Sequence, residues 1–205
     1  MISPLVPDAV LSGLGDKFLV AFSGSVVSAR TDVAEMRAWR PAWFPTMHSR
    51  CLSNLIHDRI WAHLVSAVEG DPASVVHDEG PTRQIQVGTN FLLRIKRHRR
   101  GNRIGTYPTQ TALQFWLQDN NQALDGLELI TLAAGYRWDD ELREVKAPVL
   151  SYRDGKDNPI WAIELDEPAA GATSIRWNPI DVPDLPTVDF GELGEENETG
   201  ESDGS

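Results

Sequence analysis

The sequence predicts an α+β fold: an antiparallel sheet of about five strands, a hairpin plus a three-strand meander, packed by two main helices. Three observations predict it. Apolar residues recur at helical spacing over residues 49–69, residues alternate in a hairpin pattern over 84–99, and three alternating segments joined by short turns lie between 128 and 165. With 205 residues, 41% hydrophobic content and seven Trp, the chain can bury one core of ordinary size.

In chain order, residues 1–30 mix apolar residues with Pro, Gly and Ser, and Phe18–Phe22 reads equally as a short strand or a helix end. A short helix follows in TDVAEMRAW, capped by Thr31 or Asp32, with Glu35 placed for a capping box and Pro41 stopping it. RPAWFPTM reads as an irregular cover over the core. The long helix has Leu52, Leu55, Ile56, Ile60 and Leu64 in its stripe, widened by Trp61, Val65 and Val68. Ser49 is its expected cap, and Gly70-Asp71-Pro72 ends it. A strand begins at Val75–Val76, HDEGPTR (77–83) connects, and Gln84–Val87 pairs through a Gly88-Thr89-Asn90 turn with a strand over Phe91–Arg99. Phe91, Leu93 and Ile95 take one face of that strand, and Arg94, Lys96 and His98 take the other. After a reversal at Gly101-Asn102, Thr109 or Thr111 caps a helix whose stripe is Ala112, Leu113, Trp116 and Leu117, with Gln110, Gln114 and Gln118 in water. The meander comprises residues 128–137, 146–153 and 160–165, and SIRWNP offers one more short strand. The expected organisation is an N-terminal segment 1–30 of undecided order, a single α+β domain 31–180, and an acidic disordered tail 181–205.

Charge sharpens that division. The net charge is −11, and nine acids with no Lys or Arg fall between Asp181 and Ser205, which leaves −2 for the rest. Cys51 is the sole cysteine, so no intrachain disulfide forms, and it reads as a small buried apolar residue. The start of the chain lacks a positive leader region, and no apolar run reaches membrane-spanning length. The expectation is a soluble cytoplasmic protein, not a membrane one, with a composition in the style of bacterial or phage proteins.

The chemistry-bearing stretch is basic. Arg94, Lys96, Arg97, Arg99, Arg100 and Arg103 place six cations in ten residues, with His98 among them and Arg83 across the hairpin. Like charges so close favour an anionic partner, and phosphate backbones suit arginine forks. Arg97, Arg99 and Arg100 are the expected phosphate contacts, with Arg94, Lys96, His98 and Arg103 completing the nucleic-acid-binding face. Only Tyr107 lies nearby to stack on a base, so little sequence specificity is expected. The acid-rich tail could fold back onto the patch.

No catalytic motif is complete. Lys96 has Arg94 two residues before it, where restriction-endonuclease-like nucleases carry Glu, and Asp78 and Glu79 fall in the connector. The acids Asp139, Asp140, Glu141 and Glu144 fall in a turn where carboxylates are ordinarily solvated. His57 and His63 are six residues apart and point away from each other on their helix, and no zinc, haem or P-loop spacing occurs, so no cofactor or metal is expected. The reading is a non-catalytic cytoplasmic accessory or regulatory protein that binds an anionic partner, nucleic acid foremost. Its rival is a protein-interaction module of a toxin–antitoxin-like or mobile-element pair, with Trp39, Trp43 and Trp116 at the interface. A nuclease-like enzyme with an unrecognised site stands third.

Overall fold

A computed structural model describes residues 5–79, 82–106, 109–117 and 129–181. The described residues form an α+β structure with five helices and a seven-stranded mixed sheet. The helices are α1 (Pro7–Leu14), α2 (Asp16–Trp39), α3 (Trp43–Thr46), α4 (Ser49–Val68) and α5 (Gln110–Trp116). The strands are β1 (Ser74–Glu79), β2 (Thr82–Val87), β3 (Phe91–His98), β4 (Ile130–Asp139), β5 (Glu144–Arg153), β6 (Pro159–Leu165) and β7 (Trp177–Ile180). They lie side by side in sequence order. Every neighbouring pair is antiparallel except β3 and β4, which run parallel with Phe91 opposite Ile130 and His98 opposite Arg137. The sheet therefore has two more strands than expected and is not purely antiparallel. The passage from β3 to β4 contains α5, and a helix between neighbouring strands carries the chain back to start the next strand in the same direction.

The undecided N-terminal segment is helical. Pro7 opens α1, where its missing N–H costs no hydrogen bond. Gly15, with φ 77°, turns the chain through 92° into α2. Phe18, Leu19, Phe22, Val26, Ala29 and Val33 then recur at helical spacing and are all buried. The small residues that obscured this helix are packing devices. Ser23 Oγ donates to the Asp166 carbonyl at 2.7 Å, and Gly24 faces Pro168. Thr31 and Asp32 are thus interior residues rather than caps: Thr31 Oγ1 donates to the Val27 carbonyl, and Asp32 bonds Arg59 and His63. Likewise His48, not Ser49, caps α4, its Nδ1 accepting from the Arg50 N–H.

α2 and α4 cover one face of the sheet, where their stripes meet Ile85, Val87, Phe91, Leu93, Ile95, Leu132, Ala134 and Tyr136. Leu52, Ile56, Ile60 and Leu64 fill the α4 stripe as expected. The second main helix is α2; α5 has only seven residues and lies on the opposite face. There Phe115 and Trp116 pack with Ile104, Ala133 and Leu92 in a small separate core. Of the stripe expected for α5, Trp116 is fully buried but Leu113 and Leu117 are exposed. Thr109 caps it, accepting from the Ala112 N–H. Cys51 is exposed on the first turn of α4 rather than buried.

Asp78 and Glu79 belong to strand β1, not to a connector, and Asp78 accepts from Trp61 Nε1 and Arg83 Nε. Apart from Asp181, the expected acidic tail 181–205 lies outside the described residues. Among the described residues no single helix is long and apolar enough to cross a membrane, and Val10, Leu11, Leu14, Phe18, Leu19, Phe22, Val26 and Val33 of the bent α1–α2 pair are buried in the core.

Candidate anion-binding corner

Strand alternation decides where each basic residue goes. Along β3, Phe91, Leu93 and Ile95 face α2 and α4, while Leu92 joins the small core under α5. Arg94, Lys96 and His98 share the α5 face, and that face is covered rather than open. The Arg94 guanidinium lies 3.5 Å from the centre of the Phe115 ring and donates to Gln84 Oε1. Lys96 Nζ stands 5.7 Å from the centre of the Trp116 ring. Burial lowers Arg94 to about 10. Burial, with Arg94 as a neighbouring cation, lowers Lys96 to about 8. Both are half-buried cations stacked on aromatic faces.

His98 is fully buried and is no ligand-facing residue. Its Nε2 lies 3.0 Å from Ser151 Oγ, which also accepts from Arg153 Nη1 at 2.8 Å. Arg153 is itself buried, and its other donors meet the carbonyls of Asn102, Gly155 and Lys156. This network ties the turn after β3 to the turn between β5 and β6. Burial first, and the Arg153 charge second, push His98 down to about 3, so it is neutral at ordinary pH. A His–Ser contact is the usual pairing of a base with a nucleophile. Here the serine is sealed from solvent and held by an arginine, so the contact holds structure.

Arg97 takes the other face. It points past Trp138, 5.4 Å from the ring centre, to Ser49 Oγ at 3.3 Å, beside the start of α4. Arg83 is bound to Asp58 and Asp78. The six-cation cluster of the sequence is therefore divided by the sheet, and only its end is free. Arg99, Arg100 and Arg103 are exposed around a single 3-10 turn (Arg100–Asn102) and form no ion pair among the described residues.

Arg99 and Arg100 line a groove of about 730 Å³. Arg137, Lys146, Asp139, Asp140, Glu141, Ile180 and Asp181 line it as well. Arg137 alternates with the buried Tyr136 and Trp138, which sends it to the α5 side of the sheet, and it pairs with Glu164 at 2.7 Å. Lys146 pairs with Glu144 at 2.8 Å. Asp139 uses one oxygen to accept from the N–H groups of Glu141 and Leu142, fixing the acidic turn. Three of the acids that the sequence placed in a solvated turn, Asp139, Asp140 and Glu141, thus share a groove with Arg99 and Arg100.

No family model, curated protein or solved structure matches this chain. The chemistry must be read from the residues themselves. Among the described residues no group of three or more His, Cys, Asp or Glu converges to hold a metal. What the corner offers is three solvated guanidiniums on one short turn, bounded on one side by carboxylates. The guanidiniums make the outer edge electropositive and the carboxylates make the groove floor electronegative. The sequence does not reveal Arg137 and Lys146 as neighbours of the corner, because the parallel β3–β4 pairing sets Arg137 opposite His98 and the antiparallel β4–β5 pairing then brings Lys146 alongside.

Proposed function

We propose that this chain is a non-catalytic accessory or regulatory protein that binds an anionic partner, nucleic acid foremost, through Arg99, Arg100 and Arg103. One observation carries the reading: these three arginines stand exposed on one turn without an ion pair among the described residues, while Arg83, Arg137 and Lys146 are neutralised and Arg94 and Lys96 are half-buried. Contacts to a phosphate backbone through arginine forks need no base readout, so the binding is weakly sequence-specific. Combined Arg99→Glu, Arg100→Glu and Arg103→Glu substitutions, assayed with a short DNA duplex across a salt series, test it. The unaltered chain is expected to bind more weakly as salt rises, and the variant to lose binding and lower the slope of log affinity against log salt by about 3. Equal binding by the two proteins would exclude the corner.

A second reading has its own observation. Trp39 and Trp43 are 66% and 51% exposed, meet edge-on at 6.0 Å, and share the Arg40 guanidinium, 4.2 and 5.6 Å from their ring centres. Exposed Trp and Arg of this kind are typical anchors of a protein interface. Trp116, fully buried, has no part in it. Association through these aromatics would persist at high salt, where phosphate binding fades.

A further inference from the structure

The corner where α2 ends holds two aromatic side chains out in water on a fixed frame. Trp43 opens α3, and the backbone behind it is clamped. Arg143 donates to the Phe44 and Met47 carbonyls, each at 2.7 Å. The Phe44 ring is buried, with the Arg37 guanidinium 5.0 Å from its centre. Trp43 and Trp39 stay exposed above this frame and touch edge-on. Aromatics already held in place lose little side-chain freedom on binding, which suits an interface anchor.

The same surface holds a recess. Met36 and Trp39 on α2 and Leu55 on α4 wall a groove of about 380 Å³. Asp32 and Arg59 line it too, but they pair with each other at 2.7 Å. Glu35 also lines it, exposed and without an ion pair among the described residues. Arg40 is exposed as well, its guanidinium resting on the Trp39 ring, and it too has no ion pair among the described residues. Five residues separate Glu35 from Arg40, which is about 7.5 Å along a helix axis.

One patch thus carries a projecting Trp43 and a groove, an unpaired acid and an unpaired cation. Each feature has its complement on the same surface. A two-fold contact demands this, because its two faces are identical. With the axis passing between Glu35 and Arg40, the acid of each copy meets the cation of the other, and Trp43 of each enters the other's groove. A partner of one charge sign would leave either Glu35 or Arg40 unanswered.

We infer that the occupant of this patch is a second copy of the chain, in a two-fold dimer centred on Trp39. The inference rests on the reading of Trp39 and Trp43 as interface anchors. Two tryptophans bury about 300–500 Å² on each copy. That is less than the roughly 800 Å² a side of a standard interface, so the dimer is weak and reversible. Its register is set by the two Glu35–Arg40 pairs.

Sedimentation equilibrium of the full-length chain, from about 1 to about 500 μM, tests it. The unaltered chain is expected to approach twice its monomer mass, and Trp43→Ala to weaken dimerisation at least about tenfold. Glu35→Arg and Arg40→Glu each set like charges against one another in both pairs, and each variant alone is expected to stay monomeric. An equimolar mixture of these two variants has opposite charges in both pairs again and should recover the dimer. Dimers that survive in both charge variants, or a mixture that stays monomeric, would overturn the two-fold contact. A parent chain that stays monomeric throughout would overturn the second copy, and acrylamide quenching of tryptophan fluorescence then decides the underlying reading. If replacing both Trp39 and Trp43 with Phe removes quenchable signal, the anchors stand open to a different protein. If the quenchable signal is unchanged, the tryptophans are covered within the chain and the interface reading falls too.

Discussion

Gly135 shows how far one residue constrains the sheet. It sits opposite Lys96 in the parallel β3–β4 pair, and a Cβ built there would lie 1.6 Å from the Lys96 carbonyl oxygen. That contact is with backbone in the middle of a seven-stranded sheet, so no side chain can rotate away to relieve it. Gly135→Ala is expected to cost at least about 3 kcal/mol in urea unfolding, or to leave the protein insoluble. Gly105→Ala is the control, since its Cβ would meet nothing within 4 Å. It should stay within about 1 kcal/mol of the parent. Comparable losses in both variants would mean that the β3–β4 contact is not as close as described. The same scale explains the fate of the basic cluster. A period of two sends Lys96 and Arg97 to opposite faces, so six adjacent cations do not make one surface.

At the scale of elements, what was legible in the sequence depended on whether an element's partner was visible too. The stripe of α4 and the alternation of Ile85, Val87, Phe91, Leu93 and Ile95 are local patterns, and all of those strand residues are buried. The antiparallel meander is local as well, because short turns leave little choice of pairing. α2 was hidden because Ser23, Gly24 and Ser25 look like a loop, although Ser23 and Gly24 meet the chain at Asp166 and Pro168 and Ser25 donates to the Ala21 carbonyl within the helix. The position of α5 was hidden for a different reason. Its burial depends on which sheet face it meets, and Phe115 with Trp116 rather than Leu113 with Leu117 turns out to meet it. The cover over Arg94 and Lys96, and with it the shrinkage of the candidate site to Arg99, Arg100 and Arg103, follows from that docking. Trp116→Ala is therefore expected to cost about 3–5 kcal/mol in urea unfolding, whereas Leu117→Ala stays within about 0.5 kcal/mol. A small effect of Trp116→Ala would show that α5 is not anchored on the sheet, and Arg94 and Lys96 would return to the exposed basic surface.

For the molecule as a whole, the decisive polar feature is the buried network that joins its two cores' turns. His98 and Ser151 lie on strands β3 and β5, and Arg153 reaches from β5 to the carbonyls of Asn102 and Lys156. The groups whose charge reaches His98 are Arg153 and Arg137, both cations, so protonation gains no compensating carboxylate. Its folded value, about 3, lies below the ordinary 6.5. As pH falls below about 6.5, the unfolded chain takes up a proton that the folded chain refuses. The stability that the neutral imidazole protects is complete above that pH and is lost progressively between there and about 3. Within that window His98 should contribute a slope approaching about 1.4 kcal/mol per pH unit. Carboxylates such as Asp32, held low by His63 and Arg59 despite the opposing effect of burial, add a slope of the same sign, but they do so in any variant. His98→Gln removes the titrating group while keeping a polar side chain near Ser151. Urea unfolding at a series of pH values from 7 to about 4 should show the Gln variant less stable at pH 7 yet losing stability less steeply on acidification, by one proton's worth of slope. Parallel pH profiles would mean that His98 takes up its proton in the folded state, against the burial and the Arg153 and Arg137 charges that hold it low.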